Sequence, residues 1–541
     1  DQNVLTFNID HIDLLSIKRG EKVEVEVPVV LEGEPAPGLM SIQDADVLLV
    51  EADVLNIPEE LTVSIEGLED GEVITVGVDP QRIRDRAAVA TALQAQLGVE
   101  PARLDKVLSA PGAASVRFVP LIDVRPERYQ LARPALAPVP GIFFRRKSAR
   151  LSPAEGFAAH TLGRVGEATA ELLAQLGPLY QRGDQVGLSG LELSYESRLA
   201  GRPSGEVRLV LASGESRVLH HFEGTPGTPL RTTLLPRVQL AADAALAGVN
   251  QPAALVALDT RTGAILAMAS RPFDQPMNRA LSGRYPPGST FKVITAEALL
   301  AEGLGVNSAV SCPAGATVGG RQFRNFEGEA FGDTRLRVVF AHSCNTAFVM
   351  EAATLRANAL AAAAHRFGFD VNYGVGLPTP GGSFPNPRDD AERAAAAIGQ
   401  GRVLATPLHM ASVAAGAESG RWHAPFLVED YAEGPSASLS AGTRSSLHAL
   451  MRAVVTEGSA RAASAVPGLA GKTGTAEFGT GHPLPTHAWF IGYRQGVAFA
   501  VLVEGGGVGG RVAVPIAARF ASALPASPPS RAQVTASAAA F

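Results

Sequence analysis

Arg284-Tyr285-Pro286-Pro287-Gly288-Ser289-Thr290-Phe291-Lys292 is the stretch on which the reading of this chain turns. Its Pro-Pro-Gly triplet forces a turn, after which Phe291, Val293, Ile294, Ala298 and Leu299 recur at roughly helical spacing until Gly303. A helix opening on Ser289 is expected. Residues three apart on a helix share a face, so the Ser289 hydroxyl and the Lys292 amine are expected to meet. A serine beside an amine that can give up its proton is an activated nucleophile. For a lone tetrapeptide, a surface serine and a solvated lysine are the competing reading.

Lysine usage weighs against that competitor. The chain has 47 basic residues, yet its lysines are Lys18, Lys22, Lys106, Lys147, Lys292 and Lys472 alone. From Ser148 onward every cation except the last two is arginine. A coding bias towards arginine would explain the scarcity. Arginine cannot be deprotonated in a protein, however, whereas a buried lysine can be pushed towards neutrality. The two lysines retained in this long stretch sit in Ser289-x-x-Lys292 and in Lys472-Thr473-Gly474.

The bulk composition sets wider bounds. A length of 541 residues suggests three or four domains, 46% hydrophobic content suits a globular protein, and 56 Gly with 38 Pro imply many turns. No apolar run approaches the ~18 residues of a membrane span, and no signal-peptide pattern is visible. The chain begins at Asp1, so an anchor or signal is expected to have preceded it. Cys312 and Cys344 make no disulfide framework; one bridge in an oxidising compartment and two free buried thiols are equally compatible with the sequence. The net charge of −6 conceals a division: residues 1–76 hold eighteen acids against three bases, a balance of −15 that the remainder offsets with +9. Such asymmetry suggests modules of different origin.

Residues 1–76 read as β structure. Lys22-Val23-Glu24-Val25-Glu26-Val27 alternates as a half-buried strand should, with further strands expected near Val47–Glu51 and Leu61–Ile65. From there the pattern changes to helices around Ala87–Leu97 and Arg103–Leu108, a strand at Arg117–Val124, a Pro-rich extended stretch at Ala135–Phe144 and a helix at Ala168–Leu176. Asp184–Glu192 reads as a turn into a helix containing Tyr195, Glu196 and Leu199. Adjacent His220 and His221 would point to opposite faces of a strand, which argues against metal ligation. Ala253–Asp259 and Ala264–Ala269, joined by Thr260-Arg261-Thr262-Gly263, form a hairpin signal. Helices are expected over Leu355–His365 and Ala391–Ala397. Strands are expected at Lys472–Ala476, Ala488–Tyr493 and Val497–Glu504, and a closing helix at Val514–Leu524. This order makes a mixed α/β layer domain. Gly505–Gly510 lacks the Lys-Ser/Thr ending of a phosphate loop and reads as a strand-to-helix turn. Pro525–Phe541 reads as a disordered tail.

Three short motifs occur in order: Ser289-x-x-Lys292, Ser343-Cys344-Asn345, and Lys472-Thr473-Gly474 followed by Thr475. Each meets a different requirement of acyl transfer to serine. Strand alternation puts Thr473 and Thr475 on one side, able to grip a carboxylate, and Lys472 with Gly474 on the other. Gly474 would let its strand approach another backbone closely.

The set resembles the penicillin-binding proteins and serine β-lactamases, and its context narrows the resemblance. Arg284–Lys292, Ser343–Phe348, Ile398-Gly399-Gln400-Gly401 with Thr406-Pro407-Leu408, Gly471–Glu477 and His487-Ala488-Trp489-Phe490 look like a class B penicillin-binding protein. Gly187–Glu192 with Tyr195 and Leu199-Ala200-Gly201 is similar to that family's non-catalytic pedestal. The resemblance spans residues 77–523. It implies an α/β mixed, multidomain fold: an antiparallel sheet flanked by helices over 231–524, on an α+β pedestal over 77–230, after a small all-β module and before a tail at 525–541.

The resemblance also implies a function, peptidoglycan D,D-transpeptidation. Ser289 would attack the penultimate D-Ala carbonyl of a stem peptide to form an acyl-enzyme, and Lys292 would take its proton. At an ordinary pKa near 10.4, neutrality at pH 7 asks for a drop of ~3, roughly 4–5 kcal/mol. Desolvation and the neighbouring Lys472 charge push that way. Ser343 would relay the proton to the leaving D-Ala. Asn345 would hold the donor peptide, while Thr473, Gly474 and Thr475 complete the substrate strand. The backbone N–H groups of Ser289 and Thr475 would form the oxyanion hole. An amine from a second strand would then resolve the ester. The implied partners are stem peptides, β-lactam inhibitors and a membrane glycosyltransferase of the cell-wall machinery, at the extracytoplasmic face of the bacterial membrane. No cofactor, metal or nucleic acid is expected.

The sequence departs from the family in two places. Leu235 stands where the family usually has Asp, and the Arg-Gly-rich entry to the pedestal is replaced. In its place, His11–Leu15, Glu21–Glu34, Leu55–Glu59, Ser64–Leu68 and Gly71-Glu72 resemble the C-terminal β domain of the 5S-rRNA-binding ribosomal protein of the general-stress (CTC) family. The −15 balance of this module would repel RNA phosphates. The competing functions are a D,D-carboxypeptidase, a β-lactamase that hydrolyses its acyl-enzyme quickly, and a penicillin-sensing domain without turnover. A Cys344–His342 thiol hydrolase lacks a positioning partner.

Overall fold

The computed structural model of the chain describes residues 22–32, 47–53, 61–64, 72–110, 112–148, 152–154, 156–211, 216–481 and 483–524. Two compact units divide at Ser152/Pro153. The tail expected over 525–541 lies outside the described residues.

In the first unit, β1 (Lys22–Glu32) pairs antiparallel with β2 (Val47–Asp53) and parallel with β3 (Leu61–Ser64). A second sheet of order β5-β4-β6 combines β4 (Glu72–Val78), β5 (Val119–Val124) and β6 (Ile142–Ser148). The division drawn at residue 76 therefore falls inside a strand. Charge had marked that boundary, but Val73, Ile74, Val76 and Val78 are all buried and make β4 the centre of the second sheet. Helices α1 (Arg86–Leu97), α2 (Pro101–Leu108) and α3 (Pro126–Leu136) supply Val89, Leu93, Leu97, Leu104 and Leu136 to its core. The Asp85 carboxylate caps α1, accepting from the N–H groups of Ala87 and Ala88. The stretch Ala135–Phe144 is not extended throughout: α3 runs to Leu136 and β6 begins at Ile142. Pro126 occupies the first turn, where its missing N–H costs nothing, whereas Pro134 lies inside the helix.

In the second unit a hairpin of β7 (Gly205–Val210) and β8 (Ser216–Phe222) is exposed along its whole length, and His220 and His221 lie on β8. Among the described residues no cluster of three or more His, Cys, Asp or Glu could hold a metal. The Asp184–Glu192 segment forms a short strand, Gln185–Gly187, followed by two helical turns, and the buried Glu196 carboxylate accepts the Gly187 N–H at 2.7 Å.

The core of this unit is one antiparallel sheet. Its strands are β9 (Ala253–Asp259), β10 (Ile265–Arg271), β11 (Ala470–Glu477), β12 (Thr486–Arg494) and β13 (Val497–Val503), in the order β10-β9-β13-β12-β11. Every residue of β9 and β13 is buried, as continuous rather than alternating apolar runs require. The covering helices include α4 (Pro236–Ala245), α7 (Pro407–Ser419) and α9 (Gly509–Ala523). Between the hairpin and the last three strands lie α5 (Lys292–Ala301), α6 (Asn345–Thr354) and a helix at Ala359–Arg366. The helix expected from Leu355 begins only at Ala359, because Leu355 is extended where it closes α6. A further helix, α8 (Ala441–Thr456), packs against β11. Two consequences position the site: β11 is an edge strand, and it packs directly on the turn that carries Ser289. Among the described residues no helix is long and apolar enough to cross a membrane.

Candidate active site

Ser289 sits in a single 3-10 turn, Gly288–Phe291, that runs into α5. The turn is clamped from several sides. The Gly288 N–H donates to Gly399 O at 2.9 Å, and the Trp489 indole N–H donates to Pro286 O at 3.1 Å. The Tyr285 hydroxyl donates to Glu504 at 2.6 Å, and the buried Arg279 guanidinium pairs with the same carboxylate at 2.8 Å. Phe291 stacks on Phe384 beneath the turn. Ser289 itself stays half-exposed, whereas Gly288, Thr290 and Phe291 are buried.

Lys292 Nζ lies at the centre of a polar network in a fully buried side chain. It donates to Ser343 O at 2.6 Å, to Asn345 Oδ1 at 2.7 Å and to Ser343 Oγ at 3.2 Å. From the opposite side Lys472 Nζ, also fully buried, donates to Ser343 Oγ at 2.8 Å and to Thr473 O at 3.1 Å. The Ser343 hydroxyl thus sits between two buried amines. Its backbone has φ +63°, a left-handed conformation costly for a residue with a Cβ. The expected direct contact differs from the observed one: among the described residues no hydrogen bond joins Lys292 Nζ to Ser289 Oγ. All three N–H directions of the ammonium are taken by Ser343 and Asn345, so an acceptor for the serine proton appears only when the amine becomes neutral.

Both amines are driven that way. Burial, with the Lys472 charge adding to it, holds the Lys292 pKa well below 10.5, and burial brings Lys472 to about 7. The acceptors around Lys292 favour its ammonium, but neutral oxygens do not compensate complete desolvation.

The Ser343-Cys344-Asn345 segment is tied down on its far side. Cys344 forms a disulfide with Cys312, which settles the choice between a bridge and free thiols. The buried amide of Asn325 accepts from the N–H groups of Asn345 at 2.8 Å and Thr346 at 2.9 Å. Asn345 Nδ2 in turn donates to Arg324 O at 3.1 Å. No sequence signal marks Asn325, Glu504 or Arg279, because each acts through contacts between residues distant in the chain.

On β11 the contacts follow strand alternation. Lys472 reaches Ser343, and a Cβ on Gly474 would lie 2.9 Å from Thr290 Cγ2 and 3.0 Å from Pro287 O. Gly474 therefore works by what it lacks. The Thr473 hydroxyl bonds Ser459 Oγ at 2.6 Å, and Thr475 Oγ1 accepts the Gly509 N–H at 3.2 Å. The structure brings Ser289, Lys292, Ser343, Asn345 and the Lys472–Thr475 strand into one region.

Two family models cover most of the chain: the penicillin-binding protein transpeptidase domain matches residues 253–522, and the penicillin-binding protein dimerisation domain matches residues 69–232. The peptidoglycan D,D-transpeptidase PbpA of Mycobacterium tuberculosis is 36% identical over 355 residues, covering 54% of this chain and 71% of that protein. The chain belongs to the penicillin-binding protein transpeptidases. A solved ceftriaxone acyl-enzyme complex of penicillin-binding protein A from M. tuberculosis is 32% identical, with a TM-score of 0.51, covering 55% of this chain and 80% of that one. The acidic first module has another relationship. Residues 22–78 match the C-terminal domain of ribosomal protein TL5. The large ribosomal subunit protein bL25 of Corynebacterium glutamicum is 77% identical over 75 residues. The chain spans only 38% of the length of that ribosomal protein. A penicillin-binding protein thus shares its chain with a ribosomal-type β module.

Proposed function

We propose that this chain is a serine D,D-transpeptidase that cross-links peptidoglycan stem peptides and is acylated by β-lactams. The observation that supports it best is the Ser343 hydroxyl held between two buried amines of depressed pKa, next to the turn bearing Ser289.

The donor stem peptide lies along the open edge of β11, its terminal carboxylate on the Thr473 and Thr475 hydroxyls. Asn345 has one amide N–H beyond the bond to Arg324 O with which to hold the donor backbone. Neutral Lys292 accepts the Ser289 proton as Oγ bonds to the penultimate D-Ala carbonyl carbon. The oxyanion is stabilised by the N–H groups of Ser289 and Thr475. The C–N bond then breaks, and the terminal D-Ala nitrogen takes the proton back through Ser343, leaving a Ser289 ester. An acceptor amine attacks that ester, passes its proton to the base and frees Ser289. The strained amide of a β-lactam opens by the same attack, but no leaving group departs and the ester persists.

Residues 253–522 carry this chemistry, the preceding α+β segment serves as pedestal, and the first module contributes no catalytic group. The site of action is the outer face of the bacterial membrane, alongside a membrane glycosyltransferase that supplies nascent strands.

A fluorescent penicillin tests the reading. A long-lived adduct on Ser289, absent in Ser289→Ala, is expected. Rapid loss of label would mark a β-lactamase, and no label at all would remove the whole class.

A further inference from the structure

A buried carboxamide with every polar atom engaged stands directly behind the Ser343–Asn345 segment. Asn325 is 7% exposed. Its Oδ1 accepts from the N–H groups of Asn345 and Thr346, the first two residues of α6. These are orphan donors, and the chain residue at the N-cap, Cys344, offers only a disulfide sulfur, which accepts from the Ala347 N–H at 3.3 Å. Asn325 therefore caps a helix from 20 residues away in sequence. Its Nδ2 donates to Pro313 O at 2.9 Å, Glu329 O at 2.8 Å and Thr346 Oγ1 at 3.0 Å, which fixes the plane of the carboxamide.

The cap reaches the reacting groups through its neighbour. With Asn325 anchored, the carbonyl of Arg324 lies 3.1 Å from Asn345 Nδ2 and accepts its N–H. That bond decides which end of the Asn345 amide faces Lys292: Nδ2 is drawn to Arg324, so Oδ1 points at Nζ, 2.7 Å away. Rotated by half a turn, the same amide would present N–H groups to an amine that already donates. We infer that Asn325 is a positioning residue for acylation: it holds Asn345 in the rotamer, and α6 in the register, that seat the Lys292 amine. It touches neither substrate nor the reacting atoms. The inference rests on the transpeptidase reading above, with Ser289 as nucleophile.

The test is stopped-flow acylation of the full chain by a fluorescent penicillin, resolving the noncovalent dissociation constant from the acylation rate constant. Asn325→Leu removes the cap at similar volume; the same change in an Asn345→Ala background tells whether it acts through Asn345. The Leu variant is expected to acylate about 10- to 100-fold more slowly, with most of the loss in the acylation rate constant, the scale set by misplacing a catalytic group. In the Asn345→Ala background the Leu change is expected to cost little further. Acylation of the Leu variant at the wild-type rate, or a Leu effect as large in the Asn345→Ala background as in the wild type, overturns the inference. So does a loss confined to the dissociation constant. Should the Leu variant not fold, Asn325→Ser replaces it under the same criteria. Wild-type protein that takes no label contradicts the transpeptidase reading itself; wild-type label with unaffected Asn325 variants contradicts only this inference.

Discussion

Two buried lysines of lowered pKa leave a thermodynamic signature that is independent of catalysis. In the unfolded chain both titrate near 10.4, whereas folding lowers Lys472 to about 7 and Lys292 well below 10.5. Depressing the Lys472 pKa that far costs about 5 kcal/mol at neutral pH. Between the folded and unfolded values the unfolded state binds more protons, so stability rises with pH and the cost fades towards pH 10. Lys472 should contribute about 2 kcal/mol of this rise between pH 7 and 9, and Lys292 adds to it in the same direction. Denaturant titrations across that range are expected to show the second unit gaining stability, and Lys472→Met should reduce the gain. A pH-independent wild type would mean that both amines stay charged inside the fold.

At the scale of single elements, β11 and the Ser289 turn are interlocked through a residue without a side chain. A methyl group on Gly474 would press on Thr290, the Pro287 carbonyl and Trp489 Cβ, all within about 3.0 Å. None of these is the free end of a flexible chain, so strand and turn would have to separate. Gly474→Ala is expected to slow penicillin acylation at least about tenfold and to lower stability by about 1–3 kcal/mol, as overpacking does. Unaltered acylation and melting would show that the two elements are not so closely coupled.

The elements themselves were largely legible in the sequence. Ala253–Asp259 and Val497–Val503 are continuous apolar runs of strand length, and both lie at the centre of the sheet. The helix after Ser289 followed from periodicity, and Gly474 from its need for close approach. What stayed hidden shares one cause: it depends on partners far away in sequence. Lys292 reaches Ser343 and Asn345, 51 and 53 residues on, and no local spacing encodes that preference over Ser289. Asn325 is one asparagine in a loop until α6 is seen to rest on it. The Cys312–Cys344 bridge could not be chosen over two thiols without the distance between them. Helix α3 escaped notice because it carries Pro126 and Pro134, and proline read locally breaks a helix pattern.

At the largest scale the chain divides into two compact units. The first has its own apolar core, in which Leu93 is fully buried. The second holds Ser289 and both lysines. Calorimetry is expected to resolve two transitions, with penicillin acylation raising only that of the second unit. Leu93→Ala should lower the other by about 2–5 kcal/mol while leaving acylation unchanged. One transition that moves as a whole on acylation would contradict this independence.

The central claim is that an uncharged amine makes Ser289 a nucleophile, and the protonation state of Lys292 can be observed directly. With only six lysines in the chain, the Nζ resonances of lysine-labelled protein can be assigned by substitution and followed by NMR from pH 5 to 10. Lys292 Nζ is expected to have the shift of a neutral amine at pH 7 and to titrate well below the ordinary lysine range. An ammonium that persists at pH 7 in free and penicillin-acylated protein would contradict it.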